Sequence, residues 1–344
     1  MIPESLKKYA FFRLPPAAVG LAFCALFMMC ILFVPLSRIW MTRQDYFFGF
    51  FMPIFAIYVL YDRFGRISSY FGAASPEQVR YGLLEKAVSA FFMAMFACGM
   101  LTFLMGVFFF AVSGNFGAPA FIATFGFSFA VFAMAFFASQ NGADGRLKPM
   151  SERISFTGLF LFSSFAWLVS APLFDSVERK ISLFLLSYVA EIVYFFMDSL
   201  GYVVTLRANV LEFPNGSVGV ADACSGIRSL TACLFAGTFL AAVFLNKFWK
   251  KAALVALSMV FAFINNIIRA MFLSFWAYHN GPESISGSVH DMAGYFVMGM
   301  TIVCLLALLP LFQLNPVPKE FRNPDGSYRG YDDEPPDGGE GGRG

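Results

Sequence analysis

The sequence predicts an all-α polytopic integral membrane protein with about eight transmembrane helices, an interfacial amphipathic helix and a short extracytoplasmic hairpin. Three observations predict it. Of the 344 residues, 58% are hydrophobic and only 13% are charged, about half the charged share of a soluble globular chain. Mean hydropathy is +0.68. Long apolar runs recur along the chain at lengths that match a bilayer, for which roughly 20 residues suffice. These features exclude a soluble enzyme, a disordered chain and a nucleic-acid binder. The net charge of +2 gives no sign of a polyanionic partner.

The expected spans are 16–38, 46–61, 86–112, 116–138, 154–174, 224–245, 252–278 and 290–313. The first is too long for a signal peptide, and Phe23 is too bulky before Cys24 for a lipoprotein signal, so it is expected to be retained. The second is short and contains Pro53. Residues 180–200 are apolar enough to cross, but Lys180, Ser187, Glu191, Tyr194 and Asp198 follow at spacings of 7, 4, 3 and 4. That spacing puts a polar stripe on one helical face, as in a helix lying in the interface.

The distribution of basic residues decides between the two topologies. With 180–200 not crossing and a cytoplasmic N-terminus, 16 Lys and Arg fall on the cytoplasmic side and 5 on the outer side. This obeys the positive-inside rule. If 180–200 crossed, the basic stretch Asn246–Lys251 and the tail would move outside. Both termini are therefore expected in the cytoplasm, and the protein in the cytoplasmic membrane.

Residues 1–314 form one transmembrane domain on this reading. Its outer segment, 175–223, carries the amphipathic helix and a hairpin over 203–220. Val203–Leu211 and Ser217–Val220 are β-prone, and Pro214-Asn215-Gly216 is a turn signal. Residues 315–344 are rich in Pro, Gly, Asp and Glu and are expected to be a disordered cytoplasmic tail. No internal repeat is evident, which weighs against an inverted-repeat transporter. The six cysteines, at 24, 30, 98, 224, 233 and 304, have neither a disulfide nor a zinc spacing, and no metal or cofactor is implied.

Ionisable groups within a bilayer are costly and mark functional candidates. They are few: Lys86, Arg228 and Arg269, with His279 and His290 at span ends. Lys86 lies at a cytoplasmic edge and can snorkel. The run Ala221-Asp222-Ala223-Cys224-Ser225-Gly226-Ile227-Arg228 enters the sixth span. Cys224 would lie at a helix N-terminus, where unpaired N–H groups favour a thiolate. Arg228 follows one turn on. The alternative is an ordinary membrane cysteine followed by an N-cap serine. Asp222, Ser225 and Arg228 argue against it, because lipid packing gives them no role.

Arg269 lies nine residues from the outer end of its span, about 13 Å at 1.5 Å per residue, with Asn265 and Asn266 one turn earlier. A structural hydrogen-bond network between helices is the competing explanation. His290 and Asp291 open the eighth span, followed by Gly294. A thiol and an imidazole are the minimum for thiol acyl transfer.

The run Cys224-Ser225-Gly226-Ile227-Arg228-Ser229-Leu230, then Asn266-x-x-Arg269, then His290 followed by Gly294, resembles the exosortase/archaeosortase family of polytopic membrane cysteine transpeptidases or proteases. The resemblance covers about 45–313. Asp45–Arg63, with Gly49, Pro53 and Arg63, resembles the family's second span, although Phe48 stands where many members carry histidine. The resemblance implies a catalytic triad of Cys224, Arg269 and His290. Arg228, Ser225, Asp222, Asn266 and Asp291 would support it or bind substrate. It also implies the partners: exported proteins whose C-terminal sorting signal is a short motif (Pro-Glu-Pro in the best-known class), a spanning helix and a basic tail. Cleavage would run through a cysteine thioester, with an unknown acceptor nucleophile. Hydrolysis of that intermediate is one alternative. A transporter and an exopolysaccharide-export component are others. A transporter path would spread polar residues across the bilayer, whereas here they gather at the outer end.

Overall fold

A computed structural model describes residues 14–73, 79–113, 117–142, 144–219, 227–245, 247–285 and 287–313. The tail expected to be disordered, 315–344, lies outside them, as does 220–226. The helices are α1 (Pro16–Thr42), α2 (Met52–Asp62), α3 (Phe64–Gly72), α4 (Leu83–Ser113), α5 (Gly117–Ala138), α6 (Met150–Gly158), α7 (Leu161–Phe165), α8 (Trp167–Ser170), α9 (Asp175–Ser199), α10 (Ile227–Phe244), α11 (Phe248–Asn280) and α12 (Ser288–Gln313). Two 3-10 segments, Gln44–Phe51 and Pro282–Ile285, and three short strands complete the described chain. Among the described residues, seven helical segments are long and apolar enough to cross a membrane, or eight if the bent α6–α8 unit counts as one, while α10, in the expected sixth span, is a shorter apolar helix there.

Two expected spans are not simple helices. The second begins as the 3-10 segment and becomes α-helical only at Met52. Pro53 therefore sits in the first turn of α2, where its missing N–H breaks no helical bond. The fifth is broken, with a 52° bend between Met150–Gly158 and Leu161–Ser170. A break in lipid needs partners for the freed backbone. Arg63 supplies one by donating to the Leu159 carbonyl.

Glycines set the close approach of α4 and α5. A Cβ on Gly106 would stand 2.3 Å from the Ala123 backbone nitrogen, and one on Gly126 would stand 2.2 Å from that of Phe103. Small residues of this kind allow helix backbones to touch where no hydrophobic driving force separates protein from lipid. The core around them is aromatic: Trp40, Phe103, Phe127 and Trp167 are buried together, and the Trp40 indole N–H donates to the Ser170 carbonyl.

The bundle has two chemically distinct ends. At one, Ala18 of α1 packs with Phe71 and Phe156, Arg63 meets Leu159, and Lys250 donates to the Phe312 carbonyl. Arg63, Lys148 and Arg153 are buried here, with Arg66 and Lys251 nearby. At the other end, Arg43 pairs with Glu178 at 2.5 Å, Thr231 donates to the Asp45 carbonyl, and Arg269 meets His290.

Helix α9 is longer than the expected 180–200 and is apolar enough to count among the seven candidates. Its first turn is held by Arg43 at the second end. Its last turns share a core with the sheet and with Leu273 and Ala277 near the end of α11, also at the second end. The stripe Leu186, Val189, Ala190, Val193 and Met197 is buried. Glu191 and Asp198, on the expected polar stripe, are exposed beside it.

The expected hairpin is a three-stranded antiparallel meander, Thr205–Arg207, Val210–Phe213 and Gly216–Gly219. The register pairs Leu206 with Leu211, and Leu211 with Val218. The run read as one β-prone stretch, 203–211, turns at Ala208, whose φ is +54°. Gly216 has φ +139° and lies against Pro282, where a Cβ would come within 2.7 Å of Cγ. Leu211, Phe213 and Val218 point into the core shared with α9 and α11, which fixes the sheet over the ends of α11 and α12.

Candidate active site at one end of the bundle

Two helices build the described part of the site. Helix α11 carries Asn265 and Arg269 one turn apart, on a face buried against α12. Helix α12 presents His290, Gly294 and Thr301 at spacings of four and seven, which align on one helical face. The two faces interlock at two levels. Deeper in, the Asn265 side-chain amide donates to Thr301 Oγ1, and Thr301 donates to the Val297 carbonyl. One turn outward, Arg269 Nη2 lies 2.8 Å from His290 Nε2.

Guanidinium nitrogens only donate, so Nε2 is the acceptor in this contact, while Nδ1 faces Asp291 Oδ1 at 3.4 Å. Gly294 faces the guanidinium: a Cβ there would stand 3.4 Å from Arg269 Nη2 and 3.5 Å from Cζ, at ordinary van der Waals contact. Arg269 is 9% exposed, and its Nε has no hydrogen-bond partner among the described residues. A buried donor without a partner costs about 1–3 kcal/mol, so this guanidinium retains capacity for another acceptor.

His290 borders an opening. A cavity of about 360 Å³ is lined by Ser217, Val218, Gly219, Pro282, Ile285, Gly287 and His290. The sheet forms one wall and the α11–α12 connection the other. Gly219 is the last described residue before Cys224, and Ile227 opens α10 beyond it.

Asp222, Cys224 and Ser225 lie outside the described residues. Arg228 lies in the first turn of α10. Asn266 is buried and neighbours Asn265, while Asp291 is largely exposed beside His290. His279 is not at the pair. It ends α11, ten residues or roughly 15 Å beyond Arg269, and its ring meets the edges of Tyr202 and Tyr278. Sequence reasoning missed Thr301, although its spacing from His290 and Gly294 was a readable signal. It also missed the cavity wall from Ser217 to Gly219. Phe48, the departure from the family pattern, stacks on Phe235 with ring centroids 5.0 Å apart.

The fold and the site define a polytopic membrane protein with a part-buried Arg–His pair at the end of its bundle that carries the small sheet. The chain belongs to the transmembrane exosortase family, whose model matches residues 40–307. As a member it is a membrane protein of sorting-signal processing. No curated protein and no solved structure matches the chain.

Proposed function

We propose that the protein is a membrane-embedded cysteine transpeptidase that cleaves the C-terminal sorting signals of exported proteins, with Cys224 as nucleophile. The observation that carries this reading is the Arg269–His290 contact beside a cavity whose wall, the strand Gly216–Gly219, leads by sequence into Cys224. His290 lines the cavity and is the proposed base. To act, its Nε2 exchanges the Arg269 N–H for the Cys224 thiol and takes that proton, which frees the guanidinium donor for the substrate, and the thiolate attacks the scissile carbonyl carbon. Arg269 has a buried donor with no partner among the described residues and stabilises the oxyanion. As the intermediate collapses, the C–N bond breaks, His290 returns the proton to the departing amine, and the acyl group remains on sulfur as a thioester. An acceptor amine resolves it in transpeptidation; water would resolve it in hydrolysis. Arg228, Ser225 and Asp222 support the thiolate or bind the substrate.

The segregation of basic residues supports the orientation. The end away from the site holds Arg63, Arg66, Lys148, Arg153, Lys250 and Lys251 and would face the cytoplasm. The site then opens on the outer side, where an exported substrate presents the stretch next to its anchor helix. Helix α9 has both ends tied to the site end, which favours a helix that does not cross.

The reading is tested by cysteine replacement with a substrate that carries a motif, a spanning helix and a basic tail. Cys224→Ala should abolish processing at normal membrane abundance. Ala at positions 24, 30, 98, 233 or 304 should leave processing intact. Full processing by Cys224→Ala would refute the proposal.

A further inference from the structure

We propose that the end of the bundle away from the site holds an anionic phospholipid, with its phosphate on Arg63 and Lys251 and an acyl chain in the cavity behind them. This cavity, of about 720 Å³, lies between α2, the broken α6–α8 unit, α10 and α11. It exists because of the bend after Gly158: α7 and α8 diverge from the line of α6 and leave space against α11. A Cβ on Gly158, which lines the cavity, would meet nothing within 4 Å.

The cavity has two unlike parts. Arg63, Phe248 and Lys251 stand at its bundle-end mouth. Behind them the lining is Phe162, Phe165, Ala166, Val169, Ala241 and Val255. Thr238, the polar exception in this depth, already donates to the Leu234 carbonyl. The walls follow α11 from Phe248 to Ala256, about 12 Å of helix.

The mouth holds more positive than negative charge. Arg63 is 5% exposed and donates to the Leu159 carbonyl, a neutral acceptor that leaves its charge unbalanced. Arg66 acts electrostatically on both Arg63 and Lys251. The exposed Asp62 is the one acid acting on Arg63, and among the described residues none of the three cations forms an ion pair. A buried cation crowded by others, as Arg63 is here, is costly unless an anion joins it. Basic pockets between transmembrane helices suit phosphate headgroups, and Arg offers a fork of donors that matches phosphate oxygens. A free phosphate would satisfy the mouth but leave the apolar depth empty, so the two halves together fit a phospholipid. The same cations repel a basic segment of another protein. The inference is independent of the catalytic reading.

The test uses the full chain in neutral detergent, titrated with phosphatidylglycerol or phosphatidylcholine and read by native mass spectrometry, with inorganic phosphate as competitor. Phosphatidylglycerol should bind preferentially and survive millimolar phosphate. Lys251→Gln and Arg66→Gln should each weaken it roughly fivefold, as expected for about 1 kcal/mol per cation. Gly158→Leu should block binding by filling the cavity with its charges intact. Arg63→Gln is a poor probe because it also removes the bond to Leu159. Equal binding of the two lipids, unchanged affinity in both charge variants, or complete displacement by phosphate would overturn the proposal.

Discussion

Arg269 and His290 come from helices α11 and α12, 21 residues apart in sequence, and meet at 2.8 Å between Nη2 and Nε2. Because arginine can only donate, Nε2 is the acceptor in this contact, and Nδ1 is left facing Asp291. The pair thus combines a proton acceptor with a fixed positive charge, the two properties that a thiol-based acyl transfer needs around its nucleophile.

Replacing Arg269 with Lys keeps the charge but loses the planar fork. Lysine is also more strongly hydrated and would draw its head toward the surface. If the guanidinium holds the oxyanion through directed N–H groups, Arg269→Lys should lose about 10²–10³ in rate at normal membrane abundance. Processed substrate measured against enzyme by blotting checks this. Near-normal processing would leave Arg269 as a structural charge.

Gly294 offers a graded probe of the same geometry. An alanine Cβ would stand 3.4 Å from Nη2, at ordinary van der Waals contact, so Gly294→Ala should retain most activity. Gly294→Leu must displace the guanidinium. A misplacement of about 1 Å can cost on the order of 10²-fold, so its turnover should fall by about that factor. Thermal unfolding in detergent would show that the loss is not one of folding.

The two histidines should separate. His290→Ala removes the proposed base and should cost about 10²–10⁴ in rate. His279→Ala removes an exposed ring that meets Tyr202 and Tyr278 at their edges and should cost little. The processed fraction for each variant decides it, and an essential His279 would reverse the assignment.

Much of this was legible in the sequence because lipid imposes strong rules. Apolar runs of bilayer length marked the helices, and the rarity of charge in them made Arg269 and His290 conspicuous. Gly216, in the turn read at Pro214-Asn215-Gly216, has the positive φ that favours glycine. What stayed hidden depended on partners distant in sequence. The break after Gly158 carries no proline, and the carbonyl it frees is satisfied by Arg63, nearly a hundred residues earlier. The close packing at Gly106 and Gly126 needs both helices in place before it has meaning. Thr301 reads as one hydroxyl in an apolar run until Asn265 is set opposite it. The turn at Ala208 lacks a glycine, so one strand was read where two form.

The central claim is that Cys224 carries the acyl group, and a trapped intermediate tests it most directly. Membranes containing the full chain would be mixed with a tailed substrate, quenched in acid, and the peptide containing Cys224 analysed by mass spectrometry. The account predicts an adduct whose mass equals the acyl portion of the substrate up to the scissile bond. Hydroxylamine should release it, as it does a thioester, and it should be absent from Cys224→Ala and build up when the acceptor is withheld. Processing at the normal rate in Cys224→Ala, or an adduct on a different residue, would contradict the account.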